Sequence, residues 1–143
     1  MLRWLLALWI GLTLNVPFSA NADEEPAILL ANVYRNQVDV SQYLVSEKLD
    51  GVRAVWDGRS LRFRSGKPIH APAWFVDALP AQPLDGELWI GRGRFERVAG
   101  ILRKESPVDA EWREVRYLLF ELPDAPGTFR ERAQELQRIA NRS

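Results

Sequence analysis

The sequence predicts an α+β domain built on an antiparallel sheet, and three features carry that expectation. Short runs of alternating apolar and polar residues are joined by turn dipeptides such as Asp57-Gly58. Single amphipathic helices interrupt those runs. The regular strand-helix alternation that builds a parallel sheet is missing from the pattern.

In chain order, Ala27 to Ala31 are apolar and Tyr34 to Asp39 mostly polar, a lead-in without a clear class. Tyr43-Leu44-Val45-Ser46-Glu47 is expected as a short strand, and Val52-Arg53-Ala54-Val55-Trp56 as a second that alternates faces before the Asp57-Gly58 hairpin turn. Leu61 and Phe63 alternate with Arg62 and Arg64 in a third, closed by Ser65-Gly66. Pro68, Pro72, Pro80 and Pro83 keep the next connection largely irregular, around a short helix from Trp74 to Leu79. Leu84 to Ile90 resumes the sheet. From Phe95, apolar Val98, Ala99 and Leu102 recur at helical spacing, with Arg97, Arg103 and Lys104 outside the stripe. Val115 to Leu122 reads as an apolar strand. Thr128 with Glu131 forms a capping box, and Phe129, Ala133, Leu136 and Ile139 or Ala140 make one face of a last helix, a face that needs a partner.

Residues 1–22 have the form of a secretory signal peptide. Arg3 precedes an apolar run from Trp4 to Leu14, and Ala20-Asn21-Ala22 supplies the small-x-small cleavage site ahead of Asp23. An apolar core of about eleven residues falls short of the roughly twenty needed to span a bilayer, which argues for cleavage over anchoring. The expected product begins at Asp23, is exported to a bacterial periplasm and has no stable membrane association. Its 143-residue precursor contains 19 Lys plus Arg against 19 Asp plus Glu, so any nucleic-acid contact must come from a local patch. No cysteine and one histidine, His70, exclude a disulfide framework, thiolate metal sites, a cysteine nucleophile and multi-histidine metal centres. The candidate catalysts are therefore lysine, arginine, carboxylates and backbone.

Lys48-Leu49-Asp50-Gly51-Val52-Arg53 presents a lysine, a carboxylate and an arginine from one tight connection. A lysine made reactive by desolvation or cationic neighbours is a nucleophile, and Arg53 could supply such a field and hold a phosphate. A solvated turn is the other reading, since Lys-x-Asp-Gly is ordinary turn composition. Further motifs come in order along the chain: Arg64-Ser65-Gly66, Asp85-Gly86-Glu87 and Tyr117-Leu118-Leu119-Phe120-Glu121.

Together these resemble the covalent nucleotidyltransferases, which comprise ATP-dependent DNA ligases, RNA ligases and mRNA capping enzymes. Their elements are Lys-x-Asp-Gly-x-Arg, Arg-x-Gly, Asp-Gly-Glu and an aromatic strand that stacks on adenine. The stretches Ser46 to Ala54 and Leu84 to Glu96 are most similar to the minimal signal-bearing bacterial ATP-dependent DNA ligases. The resemblance implies an antiparallel-sheet adenylation domain of the DNA ligase and capping-enzyme type, occupying residues 23–143 and incomplete at its carboxyl end. It implies that Lys48 attacks the ATP α-phosphate to form a lysyl-AMP, with Asp50 orienting the amine. Glu47, Arg53, Arg64, Glu87 and Phe120 would line the nucleotide, and Glu87 would hold Mg2+ or accept from the ribose. By strand parity Tyr117 would face away from Phe120. Glu121 stands where many relatives have aspartate, which weakens any metal role for it.

Arg92, Arg94 and Arg97, with Arg103 and Lys104 behind them, form the local patch expected to contact phosphates of nicked double-stranded DNA. A plain solvated helix face is the competing reading, because Glu96 and Glu105 interleave the cluster. The family's later metal-assisting and phosphate-gripping strands and its OB-fold domain do not follow, so the chain reads as part of a ligase. The expected function is ATP-dependent nick sealing by a monomer, in DNA repair, replication or recombination, performed by a chain extended through those later elements, the 143 residues alone being expected to seal nicks immeasurably slowly. The alternatives are an RNA ligase or related nucleotidyltransferase, and an inactive nucleotide-binding remnant.

Overall fold

The computed structural model describes residues 26–142 apart from Gln37, so the expected leader and the Asp23 start lie outside the described residues. After a single 3₁₀ turn at Val40–Gln42 come β1 (Val52–Trp56), β2 (Leu61–Phe63), α1 (Ala73–Val76), β3 (Leu84–Trp89), α2 (Phe95–Leu102), α3 (Asp109–Trp112), β4 (Arg116–Glu121) and α4 (Phe129–Ala140). The four strands form one antiparallel sheet in the order β2-β1-β3-β4. No helix among the described residues is long and apolar enough to cross a membrane.

Period-two alternation sorts the strands into two faces. Ala54 and Trp56 of β1, Leu61 of β2, and Leu84 and Leu88 of β3 share one face through the pairs Trp56–Leu61, Trp56–Leu84 and Val52–Leu88. All five are buried in one cluster with Val98, Ile101 and Leu102 of α2, Trp112 of α3 and Leu136 and Ile139 of α4. The opposite face carries Arg53, Asp85 and Glu87, with Arg53 directly across from Glu87. Asp57 closes the β1–β2 turn by accepting from the backbone of Arg59 and Ser60, both at 2.8 Å.

Gly86 shows why the middle of β3 has no side chain. A Cβ there would lie 2.7 Å from the Tyr117 ring and 2.6 Å from the Leu118 carbonyl oxygen. The space lets Tyr117 cross β3 on the buried face and bring its hydroxyl within 2.9 Å of the Ala54 carbonyl and 3.1 Å of that of Leu84. Burial raises the Tyr117 phenol above its ordinary pKa, so it remains a neutral donor.

Three expectations need correction. Tyr43 to Glu47 is not a strand: it is exposed and irregular. Both edges of β1, the strand it leads into, are already taken by β2 and β3, which leaves the segment no ladder there to join. The helix expected from Trp74 to Leu79 is a shorter turn, Ala73–Val76. On α4 the capping box forms as expected, but only Leu136 and Ile139 of the apolar face are buried, and Phe129 is exposed. Arg132, one turn on from Phe129, turns inward to Glu121 and lies over the Phe129 ring at 5.9 Å, occupying that end of the helix. The sequence pattern does not anticipate the α3 turn, although its Trp112 is wholly buried against Phe75 with ring centroids 4.8 Å apart.

Candidate active site

The polar face of the sheet gathers most of the motif residues. Lys48 lies on the exposed connection that enters β1, and Gly51 presses that connection onto β3. A Cβ on Gly51 would stand 2.5 Å from the Leu88 carbonyl oxygen and 2.8 Å from Glu87 Cγ, so only glycine allows the approach. The Gly51 N–H donates to Glu87 Oε1 at 3.1 Å, joining two motifs 36 residues apart. Burial raises the Glu87 pKa above its ordinary value, against the opposing pull of the Gly51 N–H and the Lys48 and Arg53 charges. The Lys48 charge therefore acts on Glu87 across this junction.

Arg53 is committed to Asp85. Nε donates to Oδ1 at 3.0 Å and Nη2 to Oδ2 at 2.6 Å, a fork that also reaches the Leu29 carbonyl at 2.8 Å. Asp85 is 1% exposed, and this pairing is what makes an acid tolerable inside an apolar strand. The field expected from Arg53 on Lys48 is accordingly offset by Asp85. The Arg53 guanidinium sits over the Phe120 ring, 5.3 Å from its centroid.

Phe120 owes its position to an irregularity. β3 and β4 pair Gly86 with Leu119 and Asp85 with Glu121, so Phe120 is an extra residue in the ladder. The bulge brings Phe120 and Glu121 both to the Arg53–Asp85 side. Tyr117 faces the other way, as parity suggests. Phe120 also borders an apolar groove of ≈ 710 Å³ along β4, shared with Leu44, Val45, Leu118, Phe129 and Ala133. An exposed aromatic beside an apolar concavity suits a planar base.

The remaining candidates lie around this centre. Arg64 is exposed in the turn after β2, one residue beyond the Ala54–Phe63 pair. Asp50 is exposed and lines an open depression with Arg94 and Arg97 at the start of α2. Glu47 is held by both nitrogens of an Arg92 fork, at 2.7 and 2.6 Å. That hydrogen bonding lowers the Glu47 pKa. Arg94 and Arg97 both pair with Glu114. All three arginines of the expected DNA patch are thus paired with carboxylates, yet at exposed positions such pairs are weak and phosphates can compete for them. His70 is exposed and belongs to none of these groups.

Sequence reasoning misses two partnerships. Asp85 stands out in the sequence only as part of a motif, although a carboxylate on an apolar strand signals a buried partner. Glu121 invites comparison with a metal contact, whereas both its oxygens are bound by Arg132 of α4 at 2.7 and 2.8 Å. No local pattern links residues 121 and 132. Among the described residues no group of three or more metal-ligating side chains occurs. With Asp85 and Glu121 spent on guanidinium groups, the donor set does not fit an all-protein magnesium cage. It leaves Glu87 as a single carboxylate beside phosphates that would bring most of the ligands themselves.

No protein-family model matches the chain. It is 36% identical over 118 residues to the DNA ligase of Haemophilus influenzae, in an alignment covering 82% of this chain and 41% of that protein. Its fold is similar to a solved structure from work on DNA binding with a minimal scaffold by Lig E DNA ligases, with a TM-score of 0.71 and 42% identity over 78% of this chain and 44% of the other. The chain spans less than half the length of either relative.

Proposed function

We propose that this chain carries the nucleotide-attachment part of an ATP-dependent DNA ligase. The observation that carries the reading is the Gly51–Glu87 hydrogen bond, which seats the lysine-bearing motif against the Asp-Gly-Glu motif on the face that also presents Arg53 and Phe120. The similarity to DNA ligases in sequence and in fold supports it.

In this reading the deprotonated Lys48 Nζ attacks the α-phosphorus of ATP. The new N–P bond replaces the bond to the bridging oxygen, pyrophosphate leaves with that electron pair, and the displaced amine proton passes to solvent. Phe120 supports the adenine, Glu87 accepts from the ribose, and Arg64, with Arg53 through the Nη1 that lies outside its Asp85 fork, steadies ribose or phosphate oxygens. Asp50 and Glu47 flank the lysine. Glu87 would help hold a magnesium ion otherwise ligated by the triphosphate, which would supply charge neutralisation at the phosphates. A 5′-phosphate oxygen at a nick then attacks the AMP phosphorus, the N–P bond breaks and the Lys48 amine leaves with its electron pair; the adjacent 3′-hydroxyl next attacks the 5′-phosphorus, AMP leaves, and the nicked double-stranded DNA is sealed. Arg92, Arg94 and Arg97 would grip backbone phosphates without reading sequence. The protein would act as a periplasmic monomer after removal of residues 1–22.

Incubation of this chain, continued through the later strands that its relatives carry, with ATP labelled at the α-phosphate and MgCl2 tests the reading. An acid-labile protein-AMP adduct is expected, lost in Lys48→Ala without change in circular dichroism. A normal adduct yield on that variant would place the nucleophile elsewhere.

A further inference from the structure

We propose that the Arg132–Glu121 pair is a positioning device for Phe120, setting the ring against the nucleotide base. The inference rests on the reading of Phe120 as the base-stacking residue. It starts from the bulge: as the extra residue of β4, Phe120 faces no ladder partner of its own on β3, so the ladder alone leaves its direction loosely specified. The next residue along the chain, by contrast, is tightly held. The Glu121 carboxylate takes Arg132 Nε at 2.7 Å and Nη2 at 2.8 Å, and its Oε1 also accepts from the Leu122 N–H at 2.8 Å. Arg132 Nη1 donates to the Gly127 carbonyl at 2.8 Å. One guanidinium therefore ties together the end of β4, the connection to α4 and the first turn of α4.

Both side chains are largely withdrawn from solvent, 16% exposed for Arg132 and 11% for Glu121. The other ion pair of α4, Arg138 with Glu135, lies at the surface and holds nothing outside the helix. A bidentate fork fixes the rotation of the carboxylate as well as its distance. The backbone immediately after Phe120 is thereby locked, while the Arg53 guanidinium, itself locked by Asp85, lies over the ring. Phe120 stands between two guanidinium–carboxylate forks, one over its ring and one on its backbone.

A lysine at 132 keeps the charge but loses the fork. Calorimetric titration with ATP, and separately with inorganic tripolyphosphate, separates positioning of the base from general support of the fold. Arg132→Lys and the near-isosteric Glu121→Gln should each weaken ATP binding about tenfold, within the range that base–aromatic stacking contributes. Tripolyphosphate, which has no base, should bind as to the wild type. Phe120→Ala should weaken ATP binding at least as much, and adding Arg132→Lys to it should bring no further loss. Unchanged ATP binding in both clamp variants, equal loss for both ligands, or multiplicative loss in the double variant would overturn the proposal. If Phe120→Ala itself leaves ATP binding intact, the stacking reading falls and the proposal with it. Because Glu121→Gln retains the shape of the site, a failure of Arg132→Lys to fold leaves the question decided by that second variant.

Discussion

β1 and β3 send Ala54, Trp56, Leu84 and Leu88 to one side of the sheet and Arg53, Asp85 and Glu87 to the other, so two very different surfaces share a backbone. The first is a conventional core whose cohesion is spread over many apolar contacts. The second concentrates charge, and its order depends on a few directional bonds: Gly51 to Glu87, Arg53 to Asp85, Arg132 to Glu121. The contrast teaches that alternate residues of the same strands can build an apolar core on one side and a charged candidate site on the other. Substitutions on the buried face should act on folding through lost apolar packing, and those on the polar face should act on folding by smaller, pH-dependent amounts and, in the proposed reading, on nucleotide handling as well.

The largest effect is expected on the buried face. Trp112→Ala removes the largest fully buried side chain among the described residues and should cost about 3–5 kcal/mol, read as a shift in the denaturant midpoint. A loss under about 1 kcal/mol would mean that α3 is not part of the core. Next comes the junction between the faces. Gly51→Ala forces a methyl group onto the Leu88 carbonyl and the Glu87 side chain, and should cost about 1–3 kcal/mol while also reducing adduct yield. Full stability together with full yield would contradict the close approach.

Two acids on the polar face should respond to pH with opposite sign. Arg132 lowers the folded pKa of Glu121 below the ordinary 4.5, so the stability from that pair is present above about pH 4.5 and is lost as pH falls through the depressed value. Burial raises the folded pKa of Glu87 above 4.5, so its penalty is present at neutral pH and relieved as pH falls toward 4.5. Thermal melts between neutral pH and about pH 3 should therefore show Glu121→Gln less stable than wild type at neutral pH, with the gap closing in acid. Glu87→Gln should be slightly more stable at neutral pH, its advantage fading by about pH 4.5. Shifts of the same sign in both variants would undo the contrast. The smallest effect is expected at the rim: Glu47→Gln, which removes the charge facing Arg92, should leave the denaturation midpoint essentially unchanged because the pair is exposed. A larger change in chemical denaturation would make that pair part of the fold.

How far the sequence could be read follows the same division. Alternation locates β1 and β2 and spacing locates α2 and α4, because those elements bury one side and the pattern records it, while β3 and β4 show as short apolar runs, each within a residue or two of its observed bounds. Tyr43 to Glu47 has the composition of a strand, but pairing is decided by which edges are free, and composition does not contain that. The α3 turn is too short to show a period. At the site, the motif residues Lys48, Arg53, Glu87 and Phe120 were legible as a set. Their immediate partners were not: Glu121 meets Arg132 through the β4–α4 connection, and Arg53 meets Asp85 across neighbouring strands, relations that exist only in three dimensions.

In the proposed reaction the polar face directs covalent attachment of AMP to one lysine. The sequence contains three, Lys48, Lys67 and Lys104, of which Lys67 lies in the turn after β2 and Lys104 is bound by Glu111 beyond α2. Peptide mapping by mass spectrometry after incubation with ATP and magnesium measures the choice directly. AMP is expected on the peptide containing Lys48 and on neither of those containing Lys67 or Lys104. AMP distributed over all three, or carried by either of the others, would contradict that expectation.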